Sequence, residues 1–488
     1  MYRAHSFDIE RSHMKANMNA GIFRRYRWKE LGLLVIPFLI LVLEMVQLAI
    51  AQFFQTQIKI TTNSPIPIST AILPSIRDLV PVPVFGLIAA LILVNLLLSI
   101  FFPKADQLLL PLVGLMSGIG VLMALRLGPD VGDLLLGTRQ LVWVILGLII
   151  CMATVFGLRN MNWLKRYKYT WALLGIFLVA LTIVNALRVK NLNSPTHDQL
   201  NFGPLNLQPS ELLKIFIVVF FAAYLSENRD ILTEGNLRLG PLRLPPLRTL
   251  GPILLMLAIS LLLFLVIREL GLALLIYGIF LVMIYLGIGK LSYVIGGLLL
   301  FVALGFIGFR LFGYVQARFY VLSIDVVNWQ SWLPATQNFA KGAAFQVVQG
   351  LIALASGGVL GAGFGLGHAG AFVPVAQSDL VFTALGEEFG LAGLFAIIGI
   401  YLLIIYRGFR IAIEASDEFN QLLAAGLTSI FAIQTFIIVA GNMKFLPLTG
   451  IPLPFLSYGG SSIIANFIII GILLRISYNT AMEREGLA

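Results

Sequence analysis

Charged residues are scarce in this chain. Lys, Arg, Asp and Glu make up 11% of its 488 residues, where a typical soluble domain carries about 25%. Hydrophobic residues reach 59%, and the mean hydropathy is +0.94. A soluble globular chain is thereby excluded, and the bilayer is the main solvent. Cysteine is nearly absent: the single Cys151 sits in an apolar run, so no internal disulfide can form. It reads as a small buried hydrophobe that says little about redox compartment. A basic stripe or reading helix is also missing. The net charge of +10 is scattered through short loops, which argues against a nucleic-acid partner and for a membrane origin of the charge. No repeat at a solenoid period occurs, and no linker sets off a soluble domain.

What the chain has instead is a succession of apolar runs of about 20 residues, the length an α-helix needs to cross the hydrocarbon core. About twelve spans are expected: Leu31 to Phe53, Val84 to Phe102, Leu108 to Leu125, Leu141 to Leu158, Tyr169 to Leu187, Leu207 to Leu225, Leu250 to Ile267, Leu270 to Ile288, Leu291 to Leu311, Leu385 to Tyr406, Leu422 to Ala440 and Tyr458 to Ile476. The fold class is therefore an all-α polytopic membrane protein. Short cytoplasmic loops collect Lys and Arg, and the clusters Arg24, Arg25, Arg27 and Lys29, then Arg159, Lys165, Arg166 and Lys168, then Arg229, Arg238, Arg243 and Arg248, then Arg407 and Arg410, then Arg475, all fall on one side. An even number of spans puts both termini in the cytoplasm and the long stretch 312–384 outside. The first apolar run follows a long charged lead and lacks a clear small-residue cleavage site, so it is expected to stay as an anchor rather than to be a cleaved signal.

Four segments carry chemistry. Gln208-Pro209-Ser210-Glu211-Leu212-Leu213-Lys214 opens the sixth span; Pro209 suits a first helical turn, and Glu211 and Lys214 share one helix face. It is either an ordinary helix start or a functional pair, since ionisable residues within a span are costly. Arg268-Glu269 lies at a tight outer turn, as a solvated tip or a site element, and Glu44 lies inside the first span, where it should face a cavity or a partner. The long outer stretch holds Phe345-Gln346-Val347-Val348-Gln349-Gly350 and Ser356-Gly357-Gly358, whose glycines allow close approach of backbone or ligand. It continues through Ser378-Asp379 to Glu387-Glu388, three acids that could bind a cation or stay hydrated. Last comes the run 446–462, with three prolines and three glycines; irregular backbone at membrane depth survives only where protein or a water-filled cavity satisfies it. This run reads as a cavity wall or a buried turn.

These segments, in this order, resemble the SEDS family (shape, elongation, division and sporulation), the FtsW, RodA and SpoVE class. The resemblance rests on Gln-Pro-Ser-Glu-x-x-Lys at 208–214, Gln-x-x-Gln with Ser-Gly-Gly at 346–358, Ser-Asp and Gly-Glu-Glu at 378–388, and Pro-Leu-Pro-Phe-x-Ser-Tyr-Gly-Gly-Ser-Ser at 452–462. Typical members have ten spans, so two extra are expected near the N-terminus. The resulting division is a cytoplasmic segment 1–30, N-terminal helices 31–190 including the extra pair, a SEDS core 191–477 with its outer loop 312–384, and a cytoplasmic tail 478–488.

The resemblance implies a bacterial cell-membrane peptidoglycan glycosyltransferase that polymerises lipid II outside the membrane during elongation or division. Its partners would be lipid II, membrane lipids and a class B penicillin-binding protein, with a divalent cation, Mg or Mn, as the one cofactor left open. It gives the general-base role to an Asp of the outer loop, which here is Asp325, seven residues after Arg318. The match is partial: Val326 stands where the family has Pro, and Asn328 to Phe345 contains no acid. Asp198-Gln199 likewise replaces an expected Arg-Trp ahead of Gly203-Pro204. Implied substrate contacts are Gln208, Ser210, Glu211, Lys214, Gln346, Gln349, Ser356, Asp379, Glu387, Glu388, Ser457 and Ser461. The altered loop keeps two other readings open: a non-catalytic scaffold that binds lipid-linked precursor and the transpeptidase, and a lipid II flippase, for which no inverted repeat speaks.

Overall fold

The structure, a computed structural model, describes residues 27–61, 81–188, 200–202, 205–234, 237–239, 242–244, 247–267, 269–328, 334–342 and 344–486. Arg24, Arg25, Asp198, Gln199, Gly203, Pro204 and Arg268 lie outside the described residues. Among those described are twelve helices of at least 19 residues, each centred on one of the twelve expected apolar runs. They are α1 (Trp28–Thr61), α2 (Pro81–Phe101), α3 (Leu109–Val131), α4 (Leu136–Gly157), α6 (Lys168–Arg188), α7 (Ser210–Glu234), α8 (Leu247–Ile267), α9 (Leu270–Ile288), α10 (Leu291–Leu311), α15 (Val381–Glu414), α16 (Glu418–Asn442) and α17 (Gly460–Arg484). Helix α5 (Asn162–Arg166) is a short connector. Nine of the twelve are long and apolar enough to cross a bilayer; α6, α7 and α8 pack into the same bundle. Runs of Leu, Ile, Val and Phe become helices because lipid offers no partner for backbone N–H and C=O, which a helix satisfies internally. Two short antiparallel hairpins, β1 (Leu200–Phe202) with β2 (Leu205–Leu207) and β3 (Leu237–Leu239) with β4 (Leu242–Leu244), flank α7.

Helix α3 is buried along most of its length. Its small residues admit neighbours: Leu91 of α2 rests on Gly114, Leu41 of α1 on Gly118, and the carbonyls of Phe455 and Leu456 on Gly120. A side chain at these glycines would collide. Helices α1 and α2 are joined to each other through a buried Arg27–Glu30 pair (2.6 Å), with Asn95 donating to Glu30 (2.8 Å) and Arg27 donating to the carbonyl of Phe102 (3.2 Å). Helix α10, by contrast, packs on α9 and has no buried residue, as expected of a helix at the lipid rim.

The stretch 312–384 is more ordered than a loop. It folds into α11 (Gly313–Tyr320), α12 (Pro334–Lys341), α13 (Phe345–Gly357) and α14 (Ala369–Phe372) before α15 begins. We call the end of the bundle that carries it the loop end. Its glycines serve backbone-to-backbone contact: a Cβ on Gly357 would sit 2.1 Å from the carbonyl oxygen of Gly386, and one on Gly361 2.1 Å from that of Glu388. Opposite them α15 is broken at Gly390 (φ 66°, ψ −171°). Residues 358–363 bridge the break, where Ala362 and Gly363 donate to the carbonyls of Glu387 (2.9 Å) and Glu388 (3.0 Å), and Leu391 and Ala392 donate to those of Gly358 and Val359 (both 3.0 Å). These bonds take up backbone groups that the interruption of the helix would otherwise leave without partners.

Candidate functional site

The run 443–459 between α16 and α17 is non-helical, as its prolines and glycines require. Side chains from three helices take up its backbone groups: Gln140 of α4 donates to the carbonyl of Ser457 (3.2 Å), Gln434 of α16 to that of Pro452 (2.7 Å), and Tyr401 of α15 to that of Pro454. Ser457 is a brace, its hydroxyl donating to the carbonyl of Ser378 (2.6 Å) and accepting from Leu453 N–H (2.7 Å). Tyr458 N–H donates to the carbonyl of Gln377 (2.8 Å), and Gln208 N–H to the hydroxyl of Ser461 (2.8 Å). Segments 253 residues apart are thereby fastened to one wall. Val375 and Phe455 hold positive φ (56° and 65°) beside it, a strain that such over-determined packing sustains.

This wall encloses a cavity of about 770 Å³ at the loop end, within the usual size of a ligand site. All four chemistry-bearing segments reach it. Gln208 comes from the first, Glu269 from the second, Gln346, Gln377, Ser378 and Asp379 from the third, and Leu448, Thr449, Gly450 and Pro452 with Tyr458 to Ser462 from the fourth. Trp143 of α4 and Tyr314, Arg318 and Val321 from α11 onward complete it.

Of the sequence candidates, Gln208, Gln346, Asp379 and Ser461 line the cavity, and the others stand elsewhere. Glu211 and Lys214 are fully buried behind the wall: Lys214 Nζ lies 2.7 Å from Glu211 Oε2 and donates to Gln434 Oε1 (3.0 Å), whose amide in turn holds the Pro452 carbonyl. Lys214 is thereby linked to the cavity wall through Gln434. Ser210 is buried at the start of α7, and Gln349 lies one turn beyond Gln346 on α13. Ser356 is exposed at the far end of that helix, its hydroxyl donating to the carbonyl of Ala353 (2.8 Å). Glu387 accepts from His368 N–H (2.9 Å) and Ala369 N–H (2.6 Å). Glu388 accepts from Gly365 N–H (3.1 Å) and pairs with Arg126 of α3 (3.0 Å), which also pairs with Asp130 (2.7 Å). These two acids pin the 361–370 segment to α3 and α15. Among the described residues no group of three or more His, Cys, Asp or Glu is arranged to hold a metal ion.

Asp325 lies on the exposed turn after α11, in the segment whose Arg318 and Val321 line the cavity, but it does not line the cavity itself. Its Oδ1 accepts from Val327 N–H (3.1 Å) and Asn328 N–H (3.3 Å), and its Oδ2 from the Asn328 amide (2.6 Å). The Asn328 side chain and backbone donors, helped by Lys444, hold its carboxyl below the usual carboxylate range. Asp379 differs. It is partly exposed to the cavity yet shielded from bulk water, and that burial raises its proton affinity above the ordinary value, against the opposing pull of the Ser378 hydroxyl (3.2 Å) and the Arg318 guanidinium.

Sequence reasoning missed Arg318 as a site residue. Its Nη1 donates to the carbonyls of Leu448 (3.0 Å) and Thr449 (3.3 Å), leaving the rest of the guanidinium with no protein acceptor among the described residues. An Arg closing a short helix just after a span was the available signal. Nothing local marked Trp143, whose place beside Gly460 depends on the packing of α4 against α17.

Comparisons agree with this arrangement. The FtsW, RodA and SpoVE family, described as Cell cycle protein, matches residues 105–482, a range that starts after α1 and α2 and takes in the other ten long helices. The chain is 36% identical over 385 residues to the peptidoglycan glycosyltransferase RodA of Mycobacterium tuberculosis, covering 78% of this chain and 79% of that one. It is 29% identical over 346 residues to a probable peptidoglycan glycosyltransferase FtsW of Geobacter metallireducens, covering 70% and 84%. Its fold resembles RodA of Thermus thermophilus (TM-score 0.52, 22% identity, 76% of this chain and 96% of that one). It also resembles a chain from the solved structure "Structural coordination of polymerization and crosslinking by a peptidoglycan synthase complex" (TM-score 0.58, 21% identity, 76% and 97%). This multi-pass membrane protein belongs to the FtsW, RodA and SpoVE family.

Proposed function

We propose that the chain is a peptidoglycan glycosyltransferase that joins the sugars of lipid II into glycan strands, and that the 770 Å³ cavity is where it does so. The observation that carries this reading is the convergence of all four motif segments, with one guanidinium and two carboxylates, on that single cavity. In the reaction a sugar hydroxyl of one lipid II forms a bond to the anomeric carbon of the other saccharide. The bond from that carbon to the pyrophosphate breaks, and its electron pair leaves with the lipid pyrophosphate. A carboxylate takes the hydroxyl proton, and a cation faces the departing charge. Arg318 is placed for the cationic role, since its planar fork suits phosphate oxygens. The family resemblance gives the proton to Asp325.

The distribution of Lys and Arg supports cytoplasmic termini and an outward-facing loop end. The synthase complex among the structural relatives supports a class B penicillin-binding protein as partner. Of the three acids that could bind a cation or stay hydrated, Glu387 and Glu388 already accept protein donors, and Asp379 is the one that lines the cavity.

Purified full-length protein given labelled lipid II tests the reading. Glycan chains of increasing length are the expected product. Binding of lipid II without polymer would replace this reading with the scaffold.

A further inference from the structure

Asp325 has a cationic neighbour from a distant segment, Lys444, the second residue after α16 at the head of the run that forms the cavity wall. Its ammonium donates to the carbonyl of Ile324, the residue just before Asp325, across 120 positions of sequence, and its charge acts on the Asp325 carboxylate. The backbone at Lys444 is unusual for a lysine. Helix α16 ends in a complete Schellman cap, with Phe445 N–H donating to the carbonyl of Ala440 (2.8 Å) and Lys444 N–H to that of Gly441 (3.2 Å). Such a cap needs a left-handed residue, usually glycine, in the position that Lys444 fills at φ 63°. Helices α3 and α9 do end on left-handed glycines, Gly132 and Gly289. A lysine there bears a strain that glycine would not, and strain of this kind persists where the residue has a task. The contact with Ile324 supplies that task.

Two cations cross between the same pair of segments in opposite directions. Arg318, from the loop, donates to the carbonyls of Leu448 and Thr449, and Lys444, from the wall run, donates back to that of Ile324. Between these ties Val321 and Ile324 are buried against Ala344, Val347 and Val348. The chain is thereby held as far as Ile324. Asp325 comes next, four residues past Val321, which lines the cavity.

Resting on the polymerase reading, we infer that Lys444 is a positioning residue for Asp325: it ties down the turn beside the cavity, so that the loop carboxylate meets the acceptor sugar hydroxyl once lipid II is bound. Lys444 does not line the cavity, so it acts through the turn. A base works only within hydrogen-bond reach of its proton, and a misplacement of about 1 Å can cost about 100-fold in rate. At the position after Asp325, where the family has a stiffening Pro, this chain has Val326. The Lys444 tie supplies from outside the turn a restraint that its own sequence lacks.

The experiment compares full-length wild type, Lys444→Gly, Lys444→Met and Lys444→Arg in unfolding temperature, in lipid II binding, and in kcat and KM for polymerisation. Lys444→Gly removes the strain together with the ammonium, so its Tm should stay level or rise while kcat falls about 10- to 100-fold. Lys444→Met keeps a long side chain on the same left-handed backbone without the charge. It should lose kcat to a similar extent with Tm near that of wild type. In both variants KM and lipid II binding should stay within about threefold of wild type, so that the loss falls on turnover. Lys444→Arg can still donate to the Ile324 carbonyl and should recover most of the rate. A residue that only capped α16 would move Tm and leave kcat alone. A wild type that makes no polymer would defeat the polymerase reading and this inference with it. Polymer from wild type together with full kcat in Lys444→Met, a rate loss that tracks a fall in Tm, or a loss carried by KM would overturn the positioning role alone.

Discussion

Lys214 and Arg318 are both cations at the loop end, in surroundings of opposite kind. Lys214 has no exposed surface, and its ammonium is used up by Glu211 and by Gln434. Arg318 rests on two backbone carbonyls and keeps the rest of its guanidinium at the cavity. The carboxylates divide the same way, Glu388 locked to Arg126 and Asp379 lining the cavity. Burial with a partner makes an ion pair part of the frame, where breaking one member leaves a stranded charge. Partial burial at a cavity without a partner leaves a charge for the ligand. A motif such as Gln-Pro-Ser-Glu-x-x-Lys therefore mixes both kinds, with Gln208 at the wall and Lys214 behind it.

The largest expected effect comes from the frame. Lys214→Ala should cost about 3–5 kcal/mol of stability because Glu211 is left charged and buried, whereas Lys214→Met combined with Glu211→Leu should keep most of it. Unfolding of the detergent-solubilised protein measures both, and a cost below about 1 kcal/mol for the single change would break the comparison. Arg318→Ala should instead leave unfolding nearly unchanged and lower kcat/KM by about 100-fold, the scale of a lost donor at a developing charge. Arg318→Lys should restore only part, since an ammonium lacks the planar fork. Loss of stability in Arg318→Ala comparable to that of Lys214→Ala would erase the distinction.

The helices were legible because the bilayer imposes a local rule: about 20 apolar residues in a row must become a span. All twelve runs became helices for that reason. The four segments were legible as chemistry because prolines, glycines and charges at membrane depth are costly unless something accounts for them. What could not be read was which account applies to each residue. Lys214 meets Gln434 across 220 positions and Arg126 meets Glu388 across 262, pairings fixed only by how helices pack. The short helices of 312–384 were also hidden, since their stability comes from lying on α15 and on the 446–462 run rather than from a long apolar stripe. Ser356 and Gln346 belong to one quoted motif and one helix, yet only Gln346 lines the cavity.

That last pair supplies the most direct test of the claim that lipid II reacts in the 770 Å³ cavity. Photoreactive side chains placed singly at 346 and 356, about 15 Å apart along α13 at 1.5 Å per residue, can be irradiated with labelled lipid II and the adducts compared. The account predicts strong labelling from position 346 and little from 356. Equal labelling, or labelling confined to 356, would contradict it.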